Sequence, residues 1–268
     1  EGEARELIPR VAEALKVDRV YWNEDYSPFA RARDAEVTRR LARAGIERTT
    51  CKDRVVFDSG ELRTGSGDAY SVYTPFRKAW YERLREVDDV ERRPPLPRLR
   101  ARVPGPTVTK AELRKRGPDA GPEDLPTGGE DAARRRLDAF LDGPGRRYAD
   151  GRNELAEDGT SRLSPYLRFG VISPRLCVSA AQEAARDAGS AARKSLHGWI
   201  DQLAWRDFYH AILAEHPHVL RHNHRREYDA MVWEDDSEGF EAWCEGRTGY
   251  PVVDAGMRQL AQTGWMHN

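Results

Sequence analysis

The sequence predicts an α/β fold followed by an all-α one, and three observations carry that expectation. Short apolar strands alternate with amphipathic helices over the first 64 residues. A proline- and arginine-rich stretch then breaks the pattern, from Arg92-Arg93-Pro94-Pro95-Leu96-Pro97-Arg98 through Pro104, Pro106, Pro118 and Pro122. Beyond Thr127-Gly128-Gly129-Glu130 the signal is helical to the end. The expected organisation is therefore the last part of an α/β domain over 1–67, a surface linker over 68–126 and the first part of a helical domain over 127–268.

Leu7, Val11 and Leu15 lie on one face of a first helix, which leads into a strand at Arg19-Val20-Tyr21-Trp22. A second helix, about 32–44 with Val37 and Leu41 inward, stops at Gly45. Arg54-Val55-Val56-Phe57 is the next apolar run and predicts a second strand, parallel to the first across the helix. No GxGxxG occurs, and Gly65-Ser66-Gly67 follows no strand-to-helix junction, so it reads as a loop. Within the linker one helix is expected over 74–87. A longer one runs from His197 to Glu215. Near the end, the turn Thr248-Gly249-Tyr250-Pro251 opens a short helix with Val253, Met257 and Leu260 on one face, closed at Gly264.

The 44 cations and 45 carboxylates nearly cancel to a net charge of −1, so any nucleic-acid surface must be a local patch. Only six of the cations are lysine, a bias that a GC-rich genome explains, although the arginine fork also suits phosphate. Cys51, Cys177 and Cys244 are far apart, which argues against a disulfide frame or zinc ribbon and for a reducing cytoplasm. No apolar run reaches bilayer length, no signal peptide is visible, and the histidines of His216-Pro-His218 and His222-Asn-His224 lack interleaved acidic or cysteine ligands. A cytoplasmic monomer without a metal is expected.

Three stretches carry candidate chemistry. Tyr148-Ala-Asp-Gly-Arg152 and Gly159-Thr-Ser-Arg-Leu-Ser164 read as a loop and helix cap, yet the same hydroxyls and N–H groups suit a pyrophosphate. Trp199, Gln202 and Arg206 share one helical face with Trp205 beside them; this is either a buried face with a snorkelling arginine or a floor for a flat heteroaromatic ring. Trp265, Met266, His267 and Asn268 set a large π surface beside polar donors just past a helix end.

The runs GTSRLSPYLRFGVISPR (159–175), WIDQLAWRDFY (199–209) and EGRTGYPVVDAGMRQLAQTGWMHN (245–268) together resemble the DNA photolyase/cryptochrome family, most closely its cyclobutane-dimer photolyases. The resemblance implies that FAD sits in the helical half against Tyr148, Thr160, Ser161, Arg162, Leu163, Ser164, Trp199, Gln202, Arg206, Trp265 and Asn268. It implies a damaged-DNA face of Arg152, Gln202, Leu203, Ala204, Trp205, Arg206, Asp207, Phe208, Tyr209 and Asn268. Gln202 and Trp205 would touch the dimer, and Trp233 would end an electron-hopping chain. The implied activity is light-driven repair of pyrimidine dimers flipped out of DNA, with reduced FAD as electron source. The family's chain continues beyond Asn268, so the sequence resembles a fragment lacking both ends, expected to be inactive and to bind FAD poorly by itself.

Gln202 departs from the family's usual glutamate and cannot donate a proton, whereas Asn268 after His267 favours the cyclobutane-dimer class over pyrimidine–pyrimidone enzymes. A cryptochrome without repair activity and an arginine-rich DNA-binding protein without photochemistry remain alternatives. In the antenna region, Phe29-Ala30 precede Arg31-Ala-Arg-Asp34 where the folate type places asparagine and glutamate. A deazaflavin-type antenna, or none, is therefore expected rather than methenyltetrahydrofolate.

Overall fold

The computed structural model describes residues 2–87, 109, 112, 115 and 125–267. They fall into two compact units. The first comprises Glu1–Arg114, Ser173–Ala180 and Ile200–Arg221, the second Lys115–Ile172, Ala181–Trp199 and His222–Asn268. Two helical stretches late in the sequence, Ser173–Ala180 and Ile200–Arg221, join the α/β part in the first unit. Most of the proline-rich segment lies outside the described residues.

In the first unit, α1 (Ala4–Ala14), β1 (Arg19–Asn23), α2 (Pro28–Arg43) and β2 (Glu47–Cys51) form a small α/β layer. The strands pair in parallel, with Arg19 opposite Glu47 and Asn23 opposite Cys51. Parallel pairing requires a crossover, and α2 supplies it. Ser27 caps α2 by accepting from the Ala30 N–H at 3.2 Å, and Pro28 suits its first turn. Ala12, Val37 and Leu41 form the core, joined by Ile8, Val17, Val20, Trp22 and Ile46.

The expected second strand is the main correction. Residues 54–57 are not a strand; the ladder forms at Glu47-Arg-Thr-Thr-Cys51, whose only strand signal is paired β-branched threonines. Val55, Val56 and Phe57 are buried, so the apolar run marked burial and not strand pairing. Their backbone donors go elsewhere. The Val56 N–H donates to Asp207 Oδ2 at 2.9 Å and the Phe57 N–H to the same oxygen at 3.0 Å. Trp80 Nε1 adds a third donor at 2.9 Å.

Trp80 belongs to α3 (Tyr73–Arg85), which buries Phe76, Trp80 and Leu84 in the first unit. This helix of the expected linker is core. In the second unit, α4 (Glu130–Asp142) buries Ala133, Leu137, Phe140 and Leu141, followed by the short α5 (Tyr148–Gly151) and α6 (Ser164–Arg168). Two helices run through both units: α7 (Pro174–Arg186) and α8 (Ser190–Glu215). α8 is apolar around much of its circumference, with Leu196, Ile200, Leu203, Ala204 and Phe208 buried, the pattern of an enclosed helix. α9 (Ser237–Cys244) and α10 (Pro251–Thr263) complete the second unit, and α10 ends at Gly264 in the left-handed conformation, φ +66°. Among the described residues no helix is long and apolar enough to cross a membrane.

Asp207 is 1% exposed, and burial pushes its pKa up to about 7, against the three donors and the Arg206 charge that favour the ionised form. Truncation in Asp207→Ala leaves three buried donors unmet and should cost about 3–5 kcal/mol in urea unfolding. The pH sign follows from the raised pKa: the folded chain holds the proton more tightly than the unfolded one, so stability from this group is lost as pH rises through about 7. The stability of wild type relative to Asp207→Asn should therefore fall between pH 5 and pH 8. A difference independent of pH would refute the shift.

Candidate cofactor and nucleic-acid site

In the second unit the residues expected at a cofactor gather around two aromatic anchors. Tyr148 is buried on α5, its phenol pushed above the usual tyrosine range by burial. Its ring meets Phe140 edge-on at 6.0 Å, and Phe140 in turn lies 5.0 Å from Trp199, itself 4% exposed. Phe140 thus connects two expected residues and was not singled out from the sequence, where it reads as ordinary core of α4. The Ala149 N–H donates to the buried Ser195 Oγ at 3.2 Å, tying α5 to the start of α8. Arg152 is exposed, with its guanidinium 5.8 Å from the Tyr148 ring centre.

The loop 158–164 is held tightly. Gly159 crosses Gly151 so closely that a Cβ there would lie 2.3 Å from the Gly151 carbonyl oxygen, which only glycine permits. Arg162 has φ +49°, a left-handed backbone that is costly for a residue with a side chain. Its guanidinium lies 4.7 Å from the Trp265 ring centre, a cation–π contact. Its buried Nε is 2.8 Å from Asp158 Oδ1 but not aligned for a hydrogen bond, so the pairing is ionic. Arg162 and Trp265, 103 residues apart in numbering, are thereby brought together. Thr160 and Ser161 are half-buried, Leu163 is buried and Ser164 is exposed.

Two further residues were missed, one holding this loop and one holding the turn that opens α10. Arg136 on α4 donates to the Ser161 carbonyl at 2.9 Å and to both Asp158 oxygens at 3.1 Å. Asp254 on α10 accepts from the Thr248 N–H at 2.7 Å, Thr248 Oγ1 at 2.6 Å and the Gly249 N–H at 3.0 Å. The Thr248 hydroxyl, with the backbone donors, holds its carboxyl below the usual range. The signal for Asp254 was its place six residues after Thr248 in a turn that needs an acceptor. Arg136 gave none, being one arginine among Arg134, Arg135 and Arg136.

Apart from Trp233 and Asn268, the remaining candidates belong to the first unit. Of the run expected on DNA, Leu203, Ala204, Asp207 and Phe208 are buried. Gln202, Trp205 and Arg206 are half-buried and Tyr209 is exposed. Trp205 stacks on Tyr73 at 3.5 Å with an 11° angle between planes, and Tyr209 lies 5.6 Å away at 23°. The Tyr73 hydroxyl donates to the Asp201 carbonyl at 3.0 Å. Arg206 Nη1 donates to the Arg54 carbonyl, and burial lowers its pKa. Trp233 is 75% exposed. Asn268 lies outside the described residues. Among the described residues no group of three or more His, Cys, Asp or Glu is placed to hold a metal.

Two family models match the chain: "DNA photolyase" over residues 1–99 and "FAD binding domain of DNA photolyase" over 199–268. Proteins named deoxyribodipyrimidine photo-lyase from Halobacterium salinarum and Synechococcus are 40% and 38% identical over the whole chain. The chain spans 56% of each of those relatives. A class III photolyase from Agrobacterium tumefaciens superposes with a TM-score of 0.80 at 32% identity, covering all of this chain and 55% of that one. An archaeal photolyase from Sulfolobus tokodaii, solved with two FAD molecules, superposes at 0.69 with 31% identity, covering all of this chain and 54% of that one. A Synechocystis cryptochrome shares the fold at 0.78, with 24% identity, and is likewise spanned to 56%. Two matching family models at opposite ends, joined by whole-chain identity to named photo-lyases, show that this chain belongs to the DNA photolyase family.

Proposed function

We propose that the complete protein binds FAD and repairs cyclobutane pyrimidine dimers in DNA in a light-dependent reaction. The observation that carries this reading is the contact of Arg162 with Trp265 in a 158–164 loop that crosses Gly151, the end of the helix that begins at Tyr148. The residues present fit a flavin dinucleotide. The Gly151–Gly159 crossing leaves no side chain at the loop's closest approach, the hydroxyls of Thr160 and Ser161 and the loop N–H groups suit a pyrophosphate, and Trp265 offers flat apolar surface.

Bound FAD would supply light absorption and the transferable electron. The chain's own residues do the rest. The 159–164 loop and Tyr148 would bind the dinucleotide, and buried Trp199 would keep water from it. Gln202 would hydrogen-bond a pyrimidine edge as an amide, without proton transfer. Arg152 would clamp a phosphate. Trp205, its plane fixed by the Tyr73 stack, would pack against the flipped dimer, with exposed Tyr209 beside it. Trp233, with its indole in solvent, would exchange electrons with external donors. In the first unit a cavity of about 460 Å³ opens where β1 and β2 end, bordered by Trp22, Tyr26, Arg31 and Arg48. The Trp22 indole nitrogen is buried without a partner, which suits an antenna chromophore carrying an acceptor. Phe29 and Ala30 offer no side-chain hydrogen bond to a pterin.

Five outcomes are expected of the complete protein. It should show flavin absorbance and light-dependent loss of dimers, and Gly159→Ala should lower flavin occupancy, because its Cβ must displace the loop. Light absorption without dimer loss would assign it to the photoreceptors, and an absence of flavin to DNA-binding proteins without photochemistry. Trp205→Ala should weaken binding to dimer-containing DNA by about 1–3 kcal/mol while sparing undamaged DNA, and equal losses on both would refute stacking. Pigment extraction should yield no reduced folate.

A further inference from the structure

Arg136 has no place in the reading above, and its contacts are unusual for an arginine on a helix surface. Nε donates to the Ser161 carbonyl at 2.9 Å, while Nη2 reaches both Asp158 oxygens at 3.1 Å and the Thr160 carbonyl at 3.4 Å. One planar fork therefore gathers two consecutive carbonyls and the carboxylate that begins the loop. Asp158 is shared, since its Oδ1 also pairs with Arg162 Nε at 2.8 Å.

The geometry has a direct consequence for the backbone. In a trans peptide the carbonyl and the following N–H point in opposite directions. Holding the Thr160 and Ser161 carbonyls against α4 turns the Ser161 and Arg162 N–H groups away from it. Arg162 then takes its positive φ of +49°, and Leu163 follows in the right-handed region at φ −84° and ψ −4°. Successive residues of opposite hand curl their N–H groups into a concave face that receives an anion. The Leu163 N–H itself donates to Ser161 Oγ at 3.4 Å. The strain at Arg162 needs an outside restraint, and the Arg136–Asp158–Arg162 chain of charges supplies it.

We propose that Arg136, anchored by Asp158, is a positioning residue that presets the 160–163 backbone to receive the pyrophosphate of the dinucleotide. The inference rests on the reading that this loop holds FAD. Arg136 does not touch the ligand. It orients the groups that do, and the benefit goes to ligands that carry phosphate.

The test compares FAD with riboflavin, which has the ring and no phosphate, on the complete apoprotein. Arg136→Ala should raise the FAD dissociation constant by about tenfold or more, as loss of a charged hydrogen-bond set implies, and leave that for riboflavin within about twofold. Arg136→Lys keeps the charge but cannot span both carbonyls and the carboxylate, so it should recover only part of the loss. Asp158→Asn should act in the same direction as Arg136→Ala. An unchanged FAD constant in Arg136→Ala, or equal losses for FAD and riboflavin, would overturn the positioning role. Wild type binding riboflavin as tightly as FAD would instead overturn the assignment of the loop to pyrophosphate.

Discussion

The carboxylate of Asp207 is the constraint on which the first unit depends, because one oxygen collects three donors from two separate segments. Val56 and Phe57 lie in a buried stretch without a strand partner, and their N–H groups would be costly there without an acceptor. Trp80 sits at the centre of α3 with its indole nitrogen equally removed from water. A single carboxyl side chain on α8 meets all three. Around it the same helix makes further charged links within the unit: Asp201 takes a two-pronged contact from Arg77 at 2.8 and 3.0 Å and a hydrogen bond from Tyr81 at 2.8 Å, and Glu215 pairs with Arg63 at 2.8 Å. These contacts are why residues 200–221 fold with the α/β part.

The second unit is organised differently. Its centre is backbone geometry, enforced by a glycine crossing at Gly151 and Gly159 and by the guanidinium of Arg136. A loop of seven residues has too few apolar contacts to hold a strained conformation, and charge substitutes for packing. The cost is that the loop depends on three ionised groups in partly exposed positions, where single ion pairs contribute little. The shared Asp158 and the Arg162–Trp265 contact make the set a network instead of isolated pairs. Strain of this kind is tolerated at binding sites because it is established before the ligand arrives.

Much of this was legible in the residues. The helices at 28–43, 73–85, 190–215 and 251–263 follow from apolar spacing and from stop signals such as Gly45 and Gly264, whose left-handed backbone no other residue adopts as readily. The pairing of hydroxyls with Arg162 in one loop, and the aromatic end at Trp265, were visible as motifs because each motif is local. The strand at 47–51 was hidden because its residues are polar; a two-stranded edge needs backbone pairing and only one covered face.

The sequence by itself determined the class of fold, the family, the periodicity of the helices and the residue types available for cofactor and DNA. Those properties depend on composition and on spacing over a few turns, which the chain carries in one dimension. Only the tertiary structure decided which of those residues face inward. Leu203, Ala204, Asp207 and Phe208 share one contiguous run with Trp205 and Tyr209, yet an enclosed helix turns the first four into core and leaves the others toward the surface. The same holds for the roles of Arg136, Phe140 and Asp207. Their meaning lies in partners 22 to 151 residues distant in the chain, and no local pattern encodes contacts at that range.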